Sequence, residues 1–171
     1  MKIVVLNGSP RGNGDTSKMV RAFVDTAEQE GENTVRVFNV CWMQIKGCLA
    51  CEYCHTLGKG KCVQKDDMSF VYEALEEADM LVLASPIYYH GISGQLKCVI
   101  DRFYALCYPK GPARLRKVAM FLSSGDADMY DGAKFSFYGD FVGYLKLEDC
   151  GVFTNHDSDY IEKIRVMASS L

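Results

Sequence analysis

The sequence predicts a doubly wound α/β fold: a five-stranded parallel sheet in the order 2-1-3-4-5, with helices on both faces. Three observations carry that prediction. KIVVLNG, DMLVLAS and KVAMFLSS are continuous apolar runs, as strands covered on both faces should be. TVRVFNV alternates instead, which suits an edge strand. Helix-period stretches separate the strands, so successive strands run parallel through crossovers.

The elements follow in order. The first strand leads to a helix over 16–30, which places Met19, Val20, Phe23 and Ala27 on one face. The alternating second strand takes one edge of the sheet. A helix over 67–78 follows, with Met68, Val71, Leu75 and Ala78 aligned. The third strand precedes a helix over 93–107, and the fourth a helix over 131–146. CGVFTN closes the other edge, and residues 158–169 form a last helix. The strand order is the flavodoxin-like one, in which ligands bind at the carboxyl ends of the strands.

With 171 residues, 49% apolar and 24% charged, the chain suits one domain over 1–171 with a sizeable core. A net charge of −3 gives no electrostatic reason to expect nucleic acid or an anionic membrane as partner. No apolar run nears the roughly 20 residues that span a bilayer. MKIVVL passes straight into a Gly-rich loop without a signal-cleavage pattern, so a cytoplasmic location is expected. Eight cysteines in a reducing compartment point to metal, redox or plain thiols rather than a disulfide framework.

Three loops at the carboxyl ends deserve a ligand. NGSPRGNGDTSKM, residues 7–19, enters a helix capped at Asp15 or Thr16, with Gly8, Gly12 and Gly14 to turn the backbone. Ser9, Arg11, Thr16 and Ser17 at a helix N-terminus make an anion site suited to phosphate, although Asp15 opposes it. The GK[ST] triplet of a P-loop is absent, as is dinucleotide-type glycine spacing. SPIYYHGISGQLK, residues 85–97, sets Tyr88 and Tyr89 where a planar ring could rest; SSGDADMY offers Ser123, Ser124 and Gly125 to its polar edge. Phosphate at one end and aromatic platform at the other outline a mononucleotide such as FMN.

GSPR, TSKM and SPIYYHGISGQLKCVIDRF resemble the flavodoxin-like NAD(P)H-dependent FMN reductases, and GCLACEYC…GKCVQKDDM resembles their iron–sulfur flavoprotein branch. The resemblance covers residues 1 to about 155. It implies non-covalent FMN, with Ser9, Arg11, Thr16 and Ser17 on the phosphate. Pro86, Ile87, Tyr88 and Tyr89 would lie along the isoalloxazine, with Ser124 and Gly125 at its far edge. It also implies a homodimer or homotetramer, with the stretch carrying Lys97, Asp101 and Arg102 near the contact. The expected activity is electron transfer from NAD(P)H through FMN to a quinone, nitro or azo compound, flavin or redox protein. Such chemistry needs no side-chain nucleophile, and no Ser/His/Asp arrangement is legible among His55, His90 and His156.

The cysteine-rich loop at 47–62 spaces Cys48, Cys51, Cys54 and Cys62 as C-x2-C-x2-C-x7-C. Three roles stay open: ligands of a [4Fe–4S] cluster, free or redox-active thiols, or a zinc site. Cys41, Cys98, Cys107 and Cys150 have apolar surroundings and are expected in the core. Two alternatives to the reductase accompany these readings. One is an iron–sulfur flavoprotein carrying electrons between proteins; the other is a non-catalytic module binding zinc.

Overall fold

The computed structural model describes residues 1–29 and 33–171. Strands β1 (Lys2–Asn7), β2 (Thr34–Asn39), β3 (Met80–Tyr88), β5 (Lys117–Ser123) and β6 (Glu148–Thr154) pair in parallel in the order β2-β1-β3-β5-β6. Taken by parallel strands alone, this is the predicted order. A short β4 (Gly91–Ile92) adds to β3 in antiparallel register and was not foreseen.

Side chains alternate across the central strands, and each set meets its own helical layer. Ile3, Val5, Met80, Val82 and Phe121 pack against α1 (Asp15–Gln29) and α6 (Tyr160–Ser169). Val4, Leu6, Leu81, Leu83, Val118 and Met120 face the opposite layer. That layer holds α2 (Met68–Glu77), α3 (Gly94–Arg102), α4 (Tyr104–Cys107), α5 (Asp131–Ser136) and a π-helix over Phe137–Tyr144. Met19, Val20, Phe23 and Ala27 of α1 are buried, as are Met68, Val71, Leu75 and Ala78. The predicted end of the first helix at residue 30 lies outside the described residues. The helix expected over 93–107 divides at Phe103 into α3 and α4.

β3 runs to Tyr88 instead of ending at Ser85, because Tyr89 and His90 (φ 50° and 63°) turn the chain back onto it. Two left-handed residues in succession make a tight hairpin. Asn-Gly, the usual signal, is missing, so the turn was invisible in the sequence.

Candidate functional site

The first loop is built from its own side chains. Asn7 Oδ1 accepts from the Ser9 N–H at 3.1 Å, and Ser9 Oγ accepts from the Arg11 N–H at 3.2 Å. The Arg11 carbonyl then accepts from Ser17 Oγ at 2.8 Å and from the Gly14 N–H at 3.1 Å. None of Gly8, Gly12 and Gly14 has a positive φ. What Gly8 supplies is close approach: a Cβ there would stand 2.5 Å from Ser93 Oγ and 2.8 Å from Leu96 Cβ. Asp15 is ion-paired to Lys18 at 2.9 Å, which offsets its repulsion of an anion.

The other two loops meet the first. Thr16 Oγ1 and Ser123 Oγ share a hydrogen bond of 2.6 Å. Asn155, at the end of β6, accepts from the Ser124 N–H at 2.8 Å and donates to the Ser124 carbonyl at 3.0 Å. Tyr130 Oη donates to Asn155 Oδ1, and His156 Nε2 lies 3.1 Å from the Ser124 carbonyl. In the second loop the Ser93 N–H donates to Ser85 Oγ at 2.8 Å.

Together they enclose a cavity of about 280 Å³ lined by Ser9, Arg11, Gly14, Asp15, Thr16, Pro86, Ile87, Tyr88, Ser123, Ser124 and Gly125. Two expected residues do not line it. Ser17 is buried behind the loop, holding the Arg11 carbonyl. Tyr89 stands fully exposed at the hairpin tip. Sequence reasoning missed Asn155 and His156. The signal available was a polar pair ending the strand next to the third loop.

The cysteine-rich loop is closed at a neck. At this neck the Asp67 N–H donates to the Gln44 carbonyl, the Gln44 N–H donates to the Asp67 carboxylate, and Gln64 Nε2 donates to the Gly47 carbonyl. Arg102, only 2% exposed, donates to the Lys46 carbonyl at 3.0 Å and to both oxygens of Asp66 at 2.9 and 3.2 Å. It thus ties the loop's two ends together, and is buried within the chain. Burial opposes the charged Asp66 carboxylate, but bonds from Arg102 and the Lys46 N–H outweigh it and hold its pKa below the ordinary value. The outer half docks on α4: His55 Nε2 lies 2.9 Å from the Tyr104 carbonyl, and Tyr104 Oη donates to Glu52.

Cys48, Cys51, Cys54 and Cys62 all line one small cavity, with Arg102, Tyr104 and Ala105. Burial pushes the Cys54 thiol up, with the Cys62 and Cys48 thiols adding to the rise. Among the described residues, no three His, Cys, Asp or Glu side chains stand close enough around a point to hold a single metal ion. Of the four cysteines expected in the core only Cys107 is buried, its thiol pushed up to about 12 by desolvation. Cys41 sits half-buried at the end of β2, where its thiol donates to the Ser9 carbonyl at 2.9 Å. Neighbours in sequence do not decide burial at a strand end. A larger, mainly apolar cavity of about 600 Å³ lies between α3–α4 and α5 with the π-helix; Lys97 and Asp101, an ion pair, line it. Among the described residues no helix is long and apolar enough to cross a membrane.

A hydroxyl-lined loop at a helix N-terminus, facing an aromatic strand end on a 2-1-3 parallel sheet, defines a flavodoxin-like protein with a cavity at the carboxyl ends of its strands. The chain belongs to the NADPH-dependent FMN reductase family, whose profile matches residues 1–139. It is 41% identical over 102 residues to an iron-sulfur flavoprotein of Archaeoglobus fulgidus, covering 60% of this chain and 45% of that one. It is 38% identical over 126 residues to one from Methanocaldococcus jannaschii, covering 73% and 62% respectively. The chain spans about half the length of the curated relatives it matches. The structure superimposes on an FMN-dependent NADH-azoreductase from Bacillus anthracis with a TM-score of 0.76 at 13% identity, covering 99% of both chains. An NAD(P)H:quinone oxidoreductase from Methanothermobacter marburgensis gives 0.71 at 19%, covering 99% of this chain and 93% of that one. At such identities the two structures establish the fold.

Proposed function

We propose that residues 1–171 form one FMN-binding domain that takes electrons from NAD(P)H and passes them to a small-molecule acceptor such as a quinone or azo compound. The observation that carries this is the meeting of the three loops around one cavity, polar and cationic at one end and aromatic at the other. Ser9, Arg11, Thr16 and the N-terminus of α1 hold the phosphate, where the backbone dipole and the guanidinium favour an anion. Ser17 acts from behind by fixing the Arg11 carbonyl. Pro86, Ile87 and Tyr88 support the ring, and Ser124 and Gly125 close its far edge in a position set by Asn155. The bound flavin supplies the hydride chemistry; these residues supply orientation. Family membership and the azo- and quinone-reducing structural neighbours support the choice of acceptor class. A homodimer or homotetramer working in the cytoplasm completes the reading.

The test is a visible spectrum of anaerobically purified protein incubated with FMN. The expected flavin band bleaches on addition of NADH or NADPH and returns when benzoquinone is added. Protein that stays colourless, or flavin bleached by neither nicotinamide, refutes the proposal.

One observation favours a second cofactor, and with it the electron-carrier alternative. Four thiols share one cavity in a chain whose relatives are named iron-sulfur flavoproteins. Four cysteines are also a donor set for a single zinc ion, but the relatives' names favour a cluster. A [4Fe–4S] cluster spreads four cysteines around a cube, and the donor set fits it. Cys48, Cys51, Cys54 and Cys62 would hold it, and the neck bonds would keep the loop shaped around it.

A further inference from the structure

We propose that Arg102 serves the four-cysteine site directly: its Nε–H donates a hydrogen bond to a sulfur of the loaded cavity. The inference rests on the iron–sulfur reading above. Both terminal nitrogens of the guanidinium are already engaged, by the Lys46 carbonyl and by Asp66. Nε is not. Among the described residues it is the one buried side-chain nitrogen or oxygen without a hydrogen-bond partner.

Leaving such a donor unpaired costs about 1–3 kcal/mol, more on a cation, so an acceptor should belong beside it. Arg102 lines the same cavity as the four thiols, which identifies the acceptor's chemistry. Glu52 accepts from Tyr104 Oη and the Gln64 amide nitrogen donates to the Gly47 carbonyl, so each already has one partner, although the oxygens of both side chains keep lone pairs. Leu49, Val63 and Ala105 offer nothing but carbon in their side chains. Besides these oxygens and the Tyr72 hydroxyl near the guanidinium, the cavity gathers four cysteine sulfurs, and sulfur, as thiolate or bridging sulfide, is the acceptor assigned to Nε.

Arg102 and Asp66 are neutral as a pair, so the influence on the cluster comes through the directed N–H rather than through net charge. Hydrogen bonds to cluster sulfur favour the more negative, reduced form and raise the reduction potential. Arg102 is therefore a positioning residue twice over. It fixes both ends of the loop and tunes what the loop holds.

The test uses the full chain, purified or reconstituted without air, as wild type and as Arg102→Lys, with arginine carrying ¹⁵N at Nε. Iron and sulfide are assayed, the midpoint potential is titrated, and pulsed EPR of the reduced sample is searched for ¹⁵N coupling. Wild type should hold about four irons and four sulfides and show the coupling. Arg102→Lys should retain the cluster, lose the coupling and favour the reduced form tenfold less, a fall of about 59 mV for a one-electron couple. A loaded wild type without coupling, or a loaded lysine variant with an unchanged potential, overturns the inference. A wild type that binds no iron or sulfide refutes the iron–sulfur reading, and the inference with it. Should the lysine variant not fold, the wild-type coupling decides alone.

Discussion

The loop after β1 and the cysteine-rich loop both rise from the carboxyl edge of the sheet, yet they are held in opposite ways. The first is held largely from within: Asn7, Ser9 and Ser17 bond to the loop's own backbone, and no described residue in it takes a left-handed conformation. The second depends on the rest of the molecule. Ala50, Glu52 and Lys59 all have positive φ, at roughly 1–2 kcal/mol each for a residue with a side chain. The shape persists because Arg102, Asp66 and Tyr104 clamp it from outside. Strained, over-determined backbone of this kind gathers at ligand clamps. The contrast teaches that one loop takes its shape mainly from its own side chains, with the Thr16–Ser123 and Cys41–Ser9 bonds added from outside, while the other is shaped by long-range partners.

The sharpest way to break the contrast is to cut the clamp. Asp66→Asn leaves Arg102 as a buried, uncompensated cation and should cost about 3–5 kcal/mol. At roughly 2–4 °C per kcal/mol for a chain this size, calorimetry would read a fall of about 6–20 °C. FMN affinity should not change, since no first-loop contact involves Asp66. A parallel loss of FMN binding would show that the loops are not independent. Acid should imitate the substitution. The folded pKa of Asp66 lies below its ordinary value, so its contribution is complete above about pH 4 and fades as pH falls through the depressed value.

A smaller effect sharpens the comparison. Ala50→Gly removes the side chain from a left-handed position (φ 49°) and should stabilise the chain by up to about 1 kcal/mol in urea denaturation. A destabilised variant would mean that the backbone there carries no strain.

The same contrast explains what could be read from the sequence. The strands were legible because burial on both faces leaves unbroken apolar runs, and the helix faces because Met19, Phe23, Met68 and Leu75 recur at helical spacing. Ser9, Arg11 and Thr16 were legible because their loop is ordered by neighbours in the chain. The Tyr89–His90 hairpin was hidden, since its residue types argue against the turn they make. The inward course of Arg102 was not legible, because nothing local shows that Asp66, far away in the sequence, holds it. Asn155 and His156 become legible only once β6 is known to lie beside β5.

The central claim is that the first loop holds the phosphate of FMN, and the most direct test compares FMN with riboflavin by fluorescence titration. The two ligands differ only in that phosphate. Two charge-assisted hydrogen bonds, at about 1.5–3 kcal/mol each, predict that wild type binds FMN about 100-fold or more tightly than riboflavin. Arg11→Ala combined with Thr16→Ala should erase most of that preference while leaving riboflavin affinity as it was. Equal affinity for the two ligands in wild type, or a preference that survives the double substitution, would contradict the account.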